Sequence, residues 1–259
     1  MKRGFAARVA GITFVAALTT APRVAAAQEI AAHSGRPKPF ETRQDFAVET
    51  RFSPYRPQVD DEPALKGKTP YKDTFGTMPR LLVQLELDWQ ALRVPHVGTL
   101  GPGVAVGYTE MTDKSFTVNG GRGEEDTSLT IYPMYGVAVL RADAVYRDLR
   151  IPLVPFAKAG VGYALWKATN PGGTSKALRP DGTDTAGKGH TWGTHFAVGV
   201  GLVLDALDTY ASRNLDNTVG INHSYLTFEY YLANLNGLGQ DTALRVGSST
   251  WAMGLAFEF

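Results

Sequence analysis

The last nine residues of the chain, Trp251 to Phe259, place a large apolar side chain at every second position and stop on an aromatic. Strand side chains point alternately to opposite faces, so Trp251, Met253, Leu255, Phe257 and Phe259 share one face. Ala252, Gly254, Ala256 and Glu258 share the other. A soluble sheet shows such alternation at the edge of a core, whereas a membrane-spanning barrel repeats it in every strand. Whether it recurs upstream therefore decides the fold.

It recurs seven times. The first expected strand sets Phe46, Val48, Thr50 and Phe52 against Ala47, Glu49, Arg51 and Ser53. The second sets Val83, Leu85, Leu87 and Trp89 against Gln84, Glu86, Asp88 and Gln90. In the third, Leu100, Val104, Val106 and Tyr108 oppose Gly101, Gly103, Ala105, Gly107 and Thr109. The fourth reads as Leu129, Ile131, Tyr135, Val137 and Val139 outside, with Thr130, Tyr132, Gly136 and Ala138 inside. The fifth alternates Ala157, Ala159, Val161, Tyr163 and Leu165 with Lys158, Gly160, Gly162 and Ala164. The sixth carries Trp192, Phe196, Val198, Val200, Leu202 and Leu204 outside and His195, Ala197, Gly199 and Gly201 inside. The seventh sets Leu226, Phe228, Tyr230 and Leu232 against Tyr225, Thr227, Glu229 and Tyr231.

Charge separates the two faces. The opposite faces hold Glu49, Arg51, Glu86, Asp88, Lys158, Glu229 and Glu258, and the apolar faces hold essentially no ionisable group. Arg or Lys at the lipid midplane costs about 2–4 kcal/mol, so the segregation is that of a barrel wall. Polar loops alternate with mostly shorter turns, among them Pro54–Pro79, Thr112–Asp126, Lys167–His190 and Ala233–Gly247. Asp205–Gly220 is the exception, long for a turn and periodic enough for a short helix. The expected fold is all-β: an eight-stranded antiparallel up-and-down transmembrane β-barrel, with both termini periplasmic and one short periplasmic helix. A soluble β-sandwich is the alternative, and the long strands and loop-length alternation count against it. Glycine, at 28 of 259 residues, exceeds the usual ~7 %; lumenal Gly and Ala make room for large groups on neighbouring strands.

The chain opens with Lys2, Arg3 and Arg8, an apolar run from Val9 to Leu18, and Ala25-Ala26-Ala27. That is the layout of a cleaved signal peptide, over residues 1–27. Residues 28–44 read as a flexible lead-in, and 45–259 as the barrel. Loss of the leader removes four basic side chains, leaving 22 basic against 25 acidic, so no basic field remains to attract nucleic acid. The absence of cysteine excludes disulfides, thiolate metal sites and a lipoprotein anchor.

These features resemble the small outer-membrane β-barrel proteins of Gram-negative bacteria. The end of the chain, with Trp251, Met253, Leu255, Phe257 and Phe259, resembles the signal that the barrel-assembly machinery reads. Three stretches, Arg51–Asp60, Ile151–Gly160 and Gly220–Tyr225, resemble an uncharacterised myxobacterial-type outer-membrane barrel family. The resemblance covers about residues 44–259 and implies location and architecture, with no catalytic residues to carry over.

Residues that could carry chemistry are few. With the sixth and seventh strands antiparallel about Asp205–Gly220, positions summing to about 424 face each other, which pairs His195 with Glu229. Such a pair could orient a general base, or simply plug the lumen. His223 beside Ser224 suggests a hydrolytic dyad, although neighbours on a strand face opposite ways. Asp60, Asp61 and Glu62 could hold Ca²⁺ or form a solvated turn. No cofactor motif passes the context test. Glu49, Arg51, Glu86, Asp88, Lys158, His195 and Glu229 are expected to form a lumenal network, with Tyr132, Phe156, Trp166, Tyr225 and Tyr231 also inward, in a barrel too narrow to conduct.

Function is then expected in the surface loops: a structural or surface-interaction protein in contact with outer-membrane lipid and lipopolysaccharide. The oligomeric state is left open. A lipid- or lipopolysaccharide-modifying enzyme and a small-solute, porin-like channel are the alternatives. Lys167–His190 is expected to lack order of its own. The first loop should pack over the barrel mouth through Tyr55, Leu65, Tyr71, Phe75 and Met78.

Overall fold

The computed structural model describes residues 45–116, 121–178, 184–206, 220–240 and 243–259. The expected leader and lead-in, residues 1–44, and most of the expected helix between Asp205 and Gly220 lie outside the described residues. Only a single 3-10 turn, Leu204–Ala206, falls within them.

Eight long strands build the wall: β1 Phe46–Tyr55, β2 Arg80–Trp89, β3 Gly98–Phe116, β4 Arg122–Arg141, β5 Leu153–Asn170, β6 Lys188–Val203, β7 His223–Asn234 and β8 Ser248–Glu258. Each pairs antiparallel with the next, and β8 returns to β1 with Phe52 opposite Met253 and Ala47 opposite Glu258. The sheet is a closed eight-stranded antiparallel barrel with no free edge. A short strand, Leu92–Val94, adds to the base of β3, and Gly173–Thr174 extends β5.

Outside, the wall carries a continuous apolar belt that includes Leu85, Leu87, Val104, Val106, Val161, Phe196, Val198, Phe228, Met253 and Leu255. Val198 is 64 % exposed and Val104 62 %. Monomeric soluble proteins rarely expose apolar patches beyond a few hundred Å², and this one circles the molecule. Tyr108 and Tyr132 (ring centroids 5.4 Å apart) and Tyr163 and Trp192 (4.6 Å) mark its loop-side edge. Such aromatic girdles sit where hydrocarbon meets headgroup.

Three expectations are corrected here. The faces of β4 are inverted: Leu129, Ile131, Tyr135, Val137 and Val139 are buried in the lumen, while Tyr132 is outside at 42 % exposure. The cause lies on the neighbouring strands. Gly103 leaves room for the methyls of Val137 and Val139, and Gly162 for the ring of Tyr135. The bulk missing from β3 and β5 is supplied by β4. With apolar residues on both faces of β4, hydrophobicity could not tell inside from outside.

The second correction concerns length. The segment expected as a polar loop over Thr112–Asp126 is mostly strand, paired from Thr112 opposite Ser128 to Phe116 opposite Arg122. Beyond the belt both faces are wetted, so strands need no apolar alternation there. Cross-strand pairs hold them instead, among them Thr112 with Ser128 at 3.0 Å and Lys114 with Asp126 at 2.8 Å. A third concerns the described parts of Lys167–His190, where the expected lack of order is corrected: β5 and β6 pair as far as Lys167 opposite Lys188, and Lys176–Leu178 pairs with Asp184–Ala186, while residues 179–183 lie outside the described residues.

Candidate functional site

At mid-height the lumen is filled by charge. Register sets Glu49 directly opposite Glu86, a like-charge pair that is unfavourable by itself. Lys158 relieves it from the far wall, its Nζ 2.8 Å from Glu49, 2.6 Å from Glu86 and 3.1 Å from Glu229. Arg51 forks, with Nη2 2.7 Å from Glu86 and Nη1 donating to Glu229 at 2.8 Å. Thr227 donates to the second oxygen of Glu49 at 2.6 Å. Two cations thus hold three carboxylates, all five groups about 1 % exposed.

The packing continues toward both ends. On the terminus side Arg141 meets Asp88 at 2.5 Å and lies over the Phe156 ring, and Tyr225 and Gln90 both donate to Glu258 at 2.7 Å. On the loop side the His195 ring lies 4.2 Å from that of Tyr135 and stacks on Tyr231 at 5.8 Å. Ser53 and Tyr231 share a hydrogen bond at 3.2 Å. Among the described residues the Gln84 amide, both His195 nitrogens and the Tyr135 hydroxyl have no protein hydrogen-bond partner. Buried ion pairs of this kind are costly to leave half-made, so the lumen works as one unit.

Two segments cover the loop-side mouth. In the first, residues 56–79, helix α1 (Pro70–Phe75) lays Tyr71 into the barrel, where its hydroxyl donates to Met111 Sδ at 3.3 Å. Burial pushes the Tyr71 phenol above its ordinary range. Phe75 packs beside it, Val59 is buried and Leu65 is half-buried, whereas Met78 points out at 74 % exposure. Met78 is therefore no part of the cover. The second segment, described over residues 235–240 and 243–247, tucks Leu235 and Val246 into the same apolar cluster.

Cross-links tie the two covers together. Tyr55 donates its hydroxyl to the Val246 carbonyl, Gln58 N donates to Gly247 O at 3.0 Å, and Arg245 Nε donates to Glu62 at 3.1 Å. At the other mouth, Tyr146 of helix α2 (Ala144–Leu149) packs on Val154, Val203, Tyr225 and Ala256.

The expected site residues fall as follows. Glu49, Arg51, Glu86, Asp88, Lys158 and Glu229 converge in the lumen. His195 does not pair with Glu229: the β6–β7 register sets His195 opposite Ala233 and Gly199 opposite Glu229. The paired positions sum to 428, so the partner of each β6 residue lies four residues further along β7 than the turn suggested. The His223–Ser224 dyad is also unmade: Ser224 Oγ is buried with no hydrogen-bond partner among the described residues, while His223 Nδ1 lies 2.5 Å from Asp205. Asp60, Asp61 and Glu62 do not converge on a cation. Asp60 accepts from Tyr71 N and Lys72 N at 2.8 and 3.0 Å, capping α1, and Glu62 takes Arg245. Among the described residues no cluster of His, Asp or Glu has metal-site geometry.

Trp251, Met253, Leu255 and Phe259 project outward, and Phe257 is half-buried. Phe259 closes the seam, its N donating to Phe46 O and its O accepting from Asp45 N, each at 2.9 Å. Sequence reasoning missed Arg141 and Asp205. Arg141 shares the parity of Val137 and Val139, so the correct face for β4 would have put it in the lumen. Asp205 carried no such signal.

No protein-family model matches the chain, and no curated protein matches it. Solved structures do. Ail, the attachment invasion locus protein of Yersinia pestis, matches at 10 % identity over 83 % of this chain and 97 % of that one, TM-score 0.38. The N-terminal β-barrel domain of Pseudomonas aeruginosa OprF matches at 10 % identity over 84 % and 100 %, TM-score 0.32. A major outer membrane protein of Thermus thermophilus matches at 12 % identity over 84 % and 100 %, TM-score 0.37.

Proposed function

We propose that the chain is a closed outer-membrane barrel whose work is done at its surface, a structural and interaction protein presenting four loop segments on one side. The observation that carries this reading is the filled lumen: the Arg51–Lys158 network lies across a barrel already stopped at both mouths. A sealed interior leaves the belt and the loops as the working surfaces. In this reading residues 1–27 are a cleaved leader, residues 28–44 a lead-in, and both termini are periplasmic. The barrel-assembly machinery recognises Trp251–Phe259, and the stretches quoted above belong to a myxobacterial-type barrel family. The test is twofold. Membrane-extracted protein should migrate differently on gels before and after heating, and planar bilayers containing it should stay silent. Solubility without detergent would overturn the barrel reading, and steady single-channel steps would overturn the sealed lumen.

A further inference from the structure

A crevice of about 440 Å³ opens on the outer wall at the loop-side edge of the belt, lined by Gln58, Asp61, Thr194, Asn234, Arg245 and Ser249 above Phe196 and Leu232. Its floor is set by register. Thr194 faces Asn234 across β6–β7, Phe196 faces Leu232, and Leu232 faces Ser249 across β7–β8. On three adjacent strands the outward row therefore changes, within two residues, from exposed aromatic or aliphatic side chains to hydroxyls and an amide. The two covers overhang this step with Gln58, Asp61 and Arg245. The Arg245–Glu62 contact at 3.1 Å and the Gln58–Gly247 bond at 3.0 Å fix that roof.

We propose that this crevice holds the sugar-phosphate head of lipopolysaccharide, with acyl chain lying against Phe196 and Leu232. The chemistry selects that occupant. Hydroxyls and amides donate and accept, Asp61 only accepts and Arg245 only donates. A polyhydroxylated ring needs both kinds of partner at once, and Arg245 adds a cation for phosphate. A phospholipid head, with one phosphate and few hydroxyls, would leave most of these groups unused. The amphipathic step matches a molecule that is sugar above and hydrocarbon below. The proposal rests on the reading that the loop side faces the outer leaflet.

The test compares the parent with a Thr194→Val/Asn234→Leu/Ser249→Ala variant in nanodiscs of phosphatidylethanolamine and phosphatidylglycerol doped with lipopolysaccharide. Bound lipid is read by native mass spectrometry. The parent should retain lipopolysaccharide, and the variant should lose affinity by about tenfold or more, as expected when several hydrogen bonds to the head are removed together. A Gln58→Ala variant, which leaves the strands untouched, should weaken retention in the same direction even if the first variant folds poorly. Equal retention by parent and folded variants overturns the proposal, as does phosphatidylglycerol competing as well as lipopolysaccharide. The orientation is checked separately in the cysteine-free chain. A Lys176→Cys variant that cannot be labelled on intact cells would sink the loop-outside reading while leaving nanodisc binding as it stands.

Discussion

Lys158 on β5 and Glu49 on β1 meet at 2.8 Å, although they stand on opposite walls, with β2 to β4 between them one way around and β6 to β8 the other. One ion pair thus spans the barrel from side to side. An eight-stranded interior is only wide enough for side chains to fill it, and here the filling is ionic where a soluble core would be apolar. This fills the lumen at mid-height and makes its stability depend on matched partners.

Replacing Lys158 with Met leaves Glu49, Glu86 and Glu229 facing Arg51 alone. Breaking a buried pair from one side costs about 3–5 kcal/mol. Urea unfolding followed by tryptophan fluorescence should show a clearly lower midpoint for Lys158→Met, partly regained when Glu86→Gln is added. An unchanged midpoint would mean that the network does not hold the lumen together.

Gly162 tests the loop-side cover. A Cβ there would sit 2.5 Å from Leu235 Cδ2 and 3.1 Å from the Tyr135 ring. Gly162→Leu should expel Leu235, cost about 1–3 kcal/mol through overpacking, and expose Arg245 to trypsin. Gly136→Ala, whose Cβ meets nothing within 4 Å, is the control and should leave both properties unchanged.

The terminal aromatic closes the seam through backbone bonds to Asp45 and Phe46. A Phe259→Asp chain is expected to stay unassembled. Surface labelling of whole cells, compared with the parent, measures this, and normal labelling would show that the last residue is dispensable.

Loop order has a direct readout. Helix α1 is docked through Tyr71 and Asp60, whereas the Lys176 side chain is 69 % exposed. Protease added to intact cells should therefore cut near Lys176 well before it cuts between Lys66 and Lys72. Equal rates would count against the docked cover.

How much of this was legible beforehand depends on which physical signal was available. Seven strands announce their faces because lipid demands apolar residues on one side only. β4 does not, since Val137 and Val139 fill space vacated by Gly103, and a volume exchange between strands leaves no trace in either strand's own alternation. Apart from Arg141, hidden by the inverted β4, the lumenal charges from Glu49 to Glu229 were readable because an ionisable side chain has nowhere else to go in such a wall. The pairing within it was not. His195 lost its expected partner to a four-residue difference in register, which the length of the β6–β7 connection does not specify. Asp205 at His223, and the first cover meeting the last, are long-range meetings that local pattern cannot encode.

The bond from Gln58 to Gly247 and the pair between Arg245 and Glu62 join the segment after β1 to the segment before β8. Those strands are the two ends of the wall, the joint at which an open sheet becomes a cylinder. Phe259 fastens the same joint from below. The seam is thus latched at top and bottom by contacts outside the ladder itself, so unzipping from either end must first undo a latch.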